Sequence, residues 1–273
     1  MENGWKRVLL IGGRRDCIGS TSVYDECNRR CTCKNGEMIE CYRIRKDFTS
    51  MTIKERIRYI NTLKIVSSQQ PFKEDYDKLT KIHPDYFWEI HVLKFFFPWH
   101  RWYILQFENL LRKIDCRVTV PYWDWTRAVS GNVIFRQSHF RDIWHPGPHG
   151  LGGNGTTTDH CVEKGPFSRR KWKMSPWLSY NCLRRNFRTN PQLTDSSYVN
   201  ALFQLSQKKF KCFEYAVRLY IHNDLHNAIG GTMSVKESGS APEFWFHHGY
   251  LDKLWAKWQN RGPRFASLLI YNT

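Results

Sequence analysis

The chain has 273 residues, of which 41% are hydrophobic and 15% aromatic, enough to bury a core of catalytic size and to exclude wholesale disorder. Lysine and arginine outnumber the acids 42 to 25, giving +17, a balance that attracts polyanions such as acidic glycans or an anionic matrix. The basic residues are scattered, as in Arg14, Arg15, Arg169, Arg170, Lys171, Arg184 and Arg185, which argues for a solvated basic surface and against nucleic acid as a partner.

Residues 1–48 are polar, basic and cysteine-rich, with a turn signal at Lys34-Asn35-Gly36, and they read as a small irregular module ahead of a main domain over 49–273. Five of the nine cysteines fall between Cys17 and Cys41, the density of a disulfide-stapled module in an oxidising compartment. Zinc is the rival, but Cys31-Thr32-Cys33 lacks the usual C-x2-C spacing and has no histidine nearby. The odd total leaves one cysteine free or paired outside the chain. No run is apolar enough to cross a membrane, and Val8–Ile11 is too short for a signal peptide's core. Secretion is therefore expected from the cysteines and the Asn154-Gly155-Thr156 sequon, with an N-terminus that reads as incomplete.

Helical periodicity then begins. Thr52 and Glu55 form a capping box ahead of a stripe of Ile53, Ile57, Ile60 and Leu63. A short helix follows with Tyr76, Leu79 and His83 on one face, ended by Pro84. The next helix has Phe97, His100, Ile104, Phe107 and Leu111 at i, i+3, i+7, i+10 and i+14, so His100 lies on its buried stripe. Residues 127–200, rich in Gly, Pro, Asn and Ser, are a long loop-dominated excursion that Cys161 and Cys182 can staple. A helix over 213–228 sets His222 and His226 four apart on one face and stops at Gly230-Gly231. The last helix starts at Pro242, with the stripe Phe244, His248, Leu251, Trp255, Trp258. Four or more amphipathic helices with long loops make an all-α bundle the expected fold.

Four inward-facing histidines (His100, His222, His226, His248) are the chemical signal. One buried histidine is commonly a hydrogen-bonded core residue, but two at i, i+4 present both imidazoles to one ion. Asn223 follows His222 where a zinc protease has its glutamate, so that chemistry lacks its base. The segment His91-x4-Phe96-Phe97-Pro98-Trp99-His100-Arg101-x6-Glu108 resembles the first copper-binding segment of the tyrosinase family, the type 3 copper proteins that include tyrosinases, catechol oxidases and molluscan haemocyanins. His222-Asn223-x2-His226-x3-Gly230-Gly231-Thr232-Met233, with Pro242-Glu243-Phe244-Trp245-Phe246-His247-His248-x3-Asp252, resembles the second. Pro121-Tyr122-Trp123-Asp124-Trp125 resembles the family's aromatic–acidic loop. Together the resemblance spans about residues 49–260.

The resemblance implies a four-helix bundle with two copper ions, each on three histidines, acting with O2 on phenols and catechols. Imidazole suits copper in both oxidation states. The implied ligands are His83, His91 and His100 for one copper and His222, His226 and His248 for the other. His83 is only eight residues before His91, closer than the first ligand of most relatives, and its alternative is a histidine at a helix C-terminus interacting with the dipole. Of the adjacent pair, His248 is the implied ligand and His247 a neighbour of the site or solvent-facing. Asp252 resembles the family's acidic partner that orients an imidazole, its alternative being a surface acid paired with Lys253 or Lys257; Glu108 and Asp124 are similar candidates, and Arg101 is expected to be structural.

Relatives that hydroxylate monophenols have an asparagine after the first ligand of the second site and a glutamate eight residues before it, together holding a water that acts as base. Asn223 and Glu214 match both positions. Three features depart from the pattern. Ala241 replaces the usual aspartate before the proline, removing a cap. Glu89 occupies the position of the cysteine that forms a thioether in some relatives. The chain ends soon after Trp258 without a shielding domain, so bulky substrates are expected to reach the site, tyrosine side chains of proteins among them. The alternatives are a catechol oxidase without hydroxylase activity, or a non-catalytic oxygen-binding or matrix protein on the same fold.

Overall fold

The structure, a computed structural model, describes residue 17 and residues 22–156 and 158–266. Val8–Ile11, Arg14–Arg15 and the chain's N-terminus lie outside the described residues. Two compact units divide the chain, one over residues 1–44 and the other over 45–273.

The first unit is a three-stranded antiparallel sheet rather than an irregular module. Its strands are β1 (Val23–Tyr24), β2 (Arg30–Lys34) and β3 (Glu37–Tyr42). Asn35 and Gly36 turn β2 into β3 with φ of 52° and 81°. Positive φ at both central residues is the turn that matches the right-handed twist of a hairpin. Disulfides Cys17–Cys33 and Cys31–Cys41 fasten the sheet, where a hydrophobic core this small would not suffice.

The second unit is helical. Helix α1 (Ile53–Ser68) opens on the Thr52/Glu55 capping box, with reciprocal bonds of 3.2 and 2.8 Å. Its buried face is Tyr59, Ile60, Leu63 and Val66, and Ile53 at its start is exposed. Helix α2 (Phe72–Asp85) buries Tyr76, Leu79 and His83. It runs through Pro84, contrary to the expected stop, and ends one residue later with the Tyr86 N–H on the Ile82 carbonyl. A proline so close to a C-terminus removes one helical bond and leaves few turns to disturb. A short α3 (Phe87–Ile90) leads into α4 (Phe96–Arg112), on which all five residues of the expected stripe are buried.

After α5 (Trp125–Ser130) the described residues form no helix or strand until α6 (Ser196–Leu202). This excursion is fastened by Cys161–Cys182 and by isolated bridges from Gly155 to Val162 and from Cys161 to Arg184. A continuous helical run follows as α7 (Phe210–Ala216), a π-helical stretch (Val217–Asn223) and α8 (Asp224–Ile229). Helix α9 (Pro242–Gln259) and the short α10 (Pro263–Ala266) complete the unit. The core forms where α4 faces α9. Phe107 stacks on Trp245 at 3.7 Å and Phe97 on Trp255 at 5.3 Å, while Phe213 of α7 stacks on Trp258 at 4.3 Å. No helix among the described residues is long and apolar enough to cross a membrane. Eight of the nine cysteines are disulfide-bonded and Cys212 is a free, exposed thiol.

Candidate metal centre

Histidines from α2, α4 and the turn after α3 gather in one group. His83, His91 and His100 each offer one nitrogen, all within 4.8 Å of one another. His222, His226, His247 and His248, from the π-to-α run and α9, form a second group within the same limit. The groups adjoin: His100 stacks on His248 at 4.3 Å between ring centroids and 7° between planes, and His91 lies 5.5 Å from His222.

Each element supplies its imidazole for a local reason. His100 sits on the inward stripe of α4, and His83 at the inner end of α2. His222 and His226 straddle the junction of the π-helical stretch with α8, one turn apart, with rings 4.4 Å apart. In a regular α-helix, Glu214 and His222, eight residues apart, would lie about 80° apart around the axis. The wider π turns reduce that angle, because each π residue turns the chain less. Both side chains are accordingly buried.

Hydrogen bonds fix which nitrogen faces the group in five of the rings. Nδ1 of His83 donates to the Lys236 carbonyl (2.7 Å), that of His91 to Phe87 (2.6 Å) and that of His100 to Phe96 (2.7 Å). Nδ1 of His226 donates to the Met233 carbonyl (2.5 Å) and that of His222 to the amide oxygen of Asn223 (2.7 Å). A ring that donates from Nδ1 presents a bare lone pair at Nε2, the tautomer a metal requires. Nε2 of His83, His100, His222 and His226 is buried with no hydrogen-bond partner, a costly state for a polar atom unless an ion fills it. Burial also drives every one of these imidazoles toward its neutral form. It holds His83, His100, His222, His247 and His248 well below the ordinary histidine range and lowers His226 to about 4. Neutral, convergent, unbonded nitrogens fit soft-to-intermediate metal ions such as copper.

One loop fastens both groups. Residues 230–240 supply the carbonyl of Met233 to His226 and that of Lys236 to His83. The loop begins at Gly230 and Gly231, with φ of 66° and 56°. A Cβ on Gly231 would stand 2.3 Å from the Arg184 carbonyl oxygen, so glycine is required by both conformation and space.

The carboxylates expected to orient imidazoles do other work. Asp252 pairs with Arg101 and Arg45, and Glu108 accepts from Arg45 and from the Val120 backbone. Asp124 accepts from Thr126 and lies 3.3 Å from Arg127. Backbone carbonyls and one amide take the orienting role instead. Arg101 is structural as expected, bridging Asp252 and Gln259 and lying 3.7 Å over the Trp255 ring. Ala241 caps α9 with no side-chain bond. His247 is not solvent-facing: it is fully buried, since α9 is buried all round from Pro242 to Leu251. Asn223 lines the cleft together with four of the histidines, whereas Glu214 is fully buried and not part of that lining. That cleft has a volume of about 440 Å³ and is walled by His83, His91, His222 and His226 together with Phe87, Trp88 and Val235.

Comparison with known proteins agrees with this geometry. The common central domain of tyrosinase matches residues 73–261. The tyrosinase of Streptomyces glaucescens is 35% identical over 183 residues, covering 62% of this chain, and the match spans 63% of that relative's length. The grixazone synthase of Streptomyces griseus is 29% identical over 274 residues, covering 81% of this chain and 85% of its own. Among solved structures, a polyphenol oxidase from Thermothelomyces thermophila superposes with a TM-score of 0.63 at 22% identity, over 83% of this chain and 73% of that one. A functional unit of octopus haemocyanin gives 0.52 at 20%, over 80% and 53%. Both share the fold. The chain belongs to the tyrosinase family, whose dinuclear type 3 copper centre its two histidine groups fit.

Proposed function

We propose that this protein is a secreted, copper-dependent phenol oxidase that hydroxylates monophenols ortho to the hydroxyl group and oxidises o-diphenols to o-quinones. The reading is carried by one observation: two adjoining groups of buried, neutral imidazoles, most with Nδ1 tied back to a carbonyl and Nε2 bare. His83, His91 and His100 would hold one copper, and His222, His226 and His248 the other. Bound there, the copper pair supplies two-electron chemistry with O2.

The chain's own residues select and position the phenol. Phe87 packs on His91 at 4.3 Å and presents an aromatic wall beside the first group. Two of the residues lining the cleft, Trp88 and Val235, are 80% and 42% exposed, an apolar edge that suits a phenol carried on a larger body, such as a tyrosine side chain of a protein. The net charge of +17 favours an acidic protein or glycan matrix as the setting. Asn223, its amide oxygen engaged by His222, keeps its N–H donors for a water in the cleft. Through that water Glu214 accepts the phenolic proton, the step that hydroxylation needs and catechol oxidation does not.

Copper content and oxygen uptake with tyrosine and with catechol test the reading. Two coppers per chain and turnover of both substrates are expected, and absence of copper or of any turnover would refute it. In Glu214→Gln, monophenol turnover should fall by roughly 10²-fold or more while catechol turnover changes only a few-fold. An equal fall in both would make Glu214 a packing residue only.

A further inference from the structure

The walls of the histidine cleft carry charge of one sign. No aspartate or glutamate lines it, and Lys236 is the single lining residue that is charged at neutral pH, since burial keeps the four lining imidazoles toward their neutral form. Lys236 is exposed, and among the described residues no carboxylate forms an ion pair with it. Glu237, the acid of the same loop, is absent from the lining, and its charge acts on Tyr180 instead.

The position of Lys236 is fixed at its backbone and free at its tip. Its carbonyl accepts the hydrogen bond from Nδ1 of His83 at 2.7 Å, which pins the base of the side chain beside the first histidine group. The ammonium stands on a flexible four-carbon stem and carries three rotatable donors. A second positive charge acts on the same group. Burial chiefly depresses the His91 imidazole, and the cationic Arg218 adds to that effect. Nε of Arg218 is buried with no hydrogen-bond partner.

We propose that the cleft selects phenols carrying a carboxylate on the side of the ring away from the hydroxyl, and that Lys236 is the specificity-determining residue that receives it. The proposal rests on the phenol-oxidase reading and names its substrate class. A neutral or cationic tail finds no counterpart in the lining, whereas an anionic tail pairs with the ammonium and leaves the hydroxyl end toward the histidines. A charge contact remote from the reacting end acts on binding more than on chemistry, so it appears in KM rather than kcat. Two sources offer this chemistry: a small hydroxyphenyl acid, and a tyrosine next to an acidic residue of a protein.

The test compares kcat/KM for hydroxyphenylpropionate, its uncharged amide and tyramine, and for end-blocked Glu-Tyr-Glu and Lys-Tyr-Lys peptides. Ratios are read within each variant, so a change in copper loading cancels. The anion should be preferred over the cation roughly 10-fold at low salt, mainly through KM, and the preference should shrink toward about 0.5 M salt. Lys236→Arg should keep the preference, Lys236→Gln should lose most of it and Lys236→Glu should reverse it. Lys171→Gln, at an exposed lysine outside the cleft lining, controls for net charge and should leave it intact. Phenylpropionate, which has no hydroxyl to oxidise, should bind the copper-free protein more tightly than phenethylamine in an NMR titration, and lose that advantage in Lys236→Gln. The small acid or the acidic peptide, whichever shows the larger dependence on Lys236, is the source. Equal use of anion and cation by the unaltered protein, or equal losses in Lys171→Gln and Lys236→Gln, would overturn the proposal. Failure of the phenol-oxidase reading shows differently, as no turnover even of the uncharged amide.

Discussion

At the scale of single residues, the centre is prepared by removing choices from each imidazole. Burial removes the charged form, and a carbonyl at Nδ1 removes one of two neutral tautomers. The first effect has a sign that can be checked. Unfolded histidine takes up a proton near pH 6.5, while burial holds His83, His100, His222 and His226 below that value in the fold. A depressed imidazole contributes fully above the unfolded value, and its contribution is lost as pH falls below it. For His226 the loss continues down to about 4. Each such ring withdraws up to about 1.4 kcal/mol per pH unit in that window. The metal-free protein should therefore lose stability steeply below about pH 6.5, measured as the denaturant midpoint across pH. Salt-bridged acids nearer the surface, such as Asp115, are lowered by their arginine partner Arg117, so their loss comes only at lower pH. A midpoint unchanged between neutral pH and the carboxylate range would show that the rings are not held neutral. Asn223→Ala frees the His222 ring and should weaken the second copper roughly 10-fold, read by competition with a copper chelator.

Elements decide how far the site was readable from the sequence. Period alone placed His100 on the inner stripe of α4 and paired His222 with His226, because four-residue spacing survives whether a turn is α or slightly wider. The π-helical stretch over Val217–Asn223 was not legible. Seven residues cannot distinguish a period of 3.6 from one nearer four when Leu219 and Tyr220 face outward as partly exposed apolar residues. The same limit hid His247, since a stripe argument assumes that a helix has an outside and the first half of α9 has none. The sheet of the first unit was obscured by its charge and cysteines, although its Asn35-Gly36 turn was plain. The loop carbonyls of Met233 and Lys236 carry no side-chain signature at all. That loop makes a sharp prediction. Gly231→Ala forces a Cβ to 2.3 Å from a backbone oxygen at positive φ, and should move both fastenings together. Copper should be lost from both positions in parallel, with helix content by circular dichroism nearly unchanged. Loss from the second position alone would mean that the loop serves His226 only.

For the whole second unit, the question is how a segment from 131 to 195, whose described residues form no helix or strand, is held firmly enough to back a metal centre. Its anchor is Arg185, completely buried, which donates to both Glu243 oxygens at 2.8 Å and to the carbonyls of Leu151, Gly152 and Gly153 at 2.9–3.1 Å. Glu243 stands in the first turn of α9, five residues before His248, so the same side chain ties the excursion to a helix of the centre. A paired charge here is not in itself a gain over apolar packing, but an unpaired one is costly, about 3–5 kcal/mol. Glu243→Gln should therefore lower the melting temperature by on the order of 10 °C. The double change Arg185→Met with Glu243→Leu separates two roles. If the pair mattered only to itself, apolar replacement would restore stability. Because Arg185 also satisfies three buried carbonyls that methionine cannot, the double variant should stay well below the parent in melting temperature. Full recovery would show that the excursion is held without Arg185, and that Cys161–Cys182 and the chain's own turns suffice.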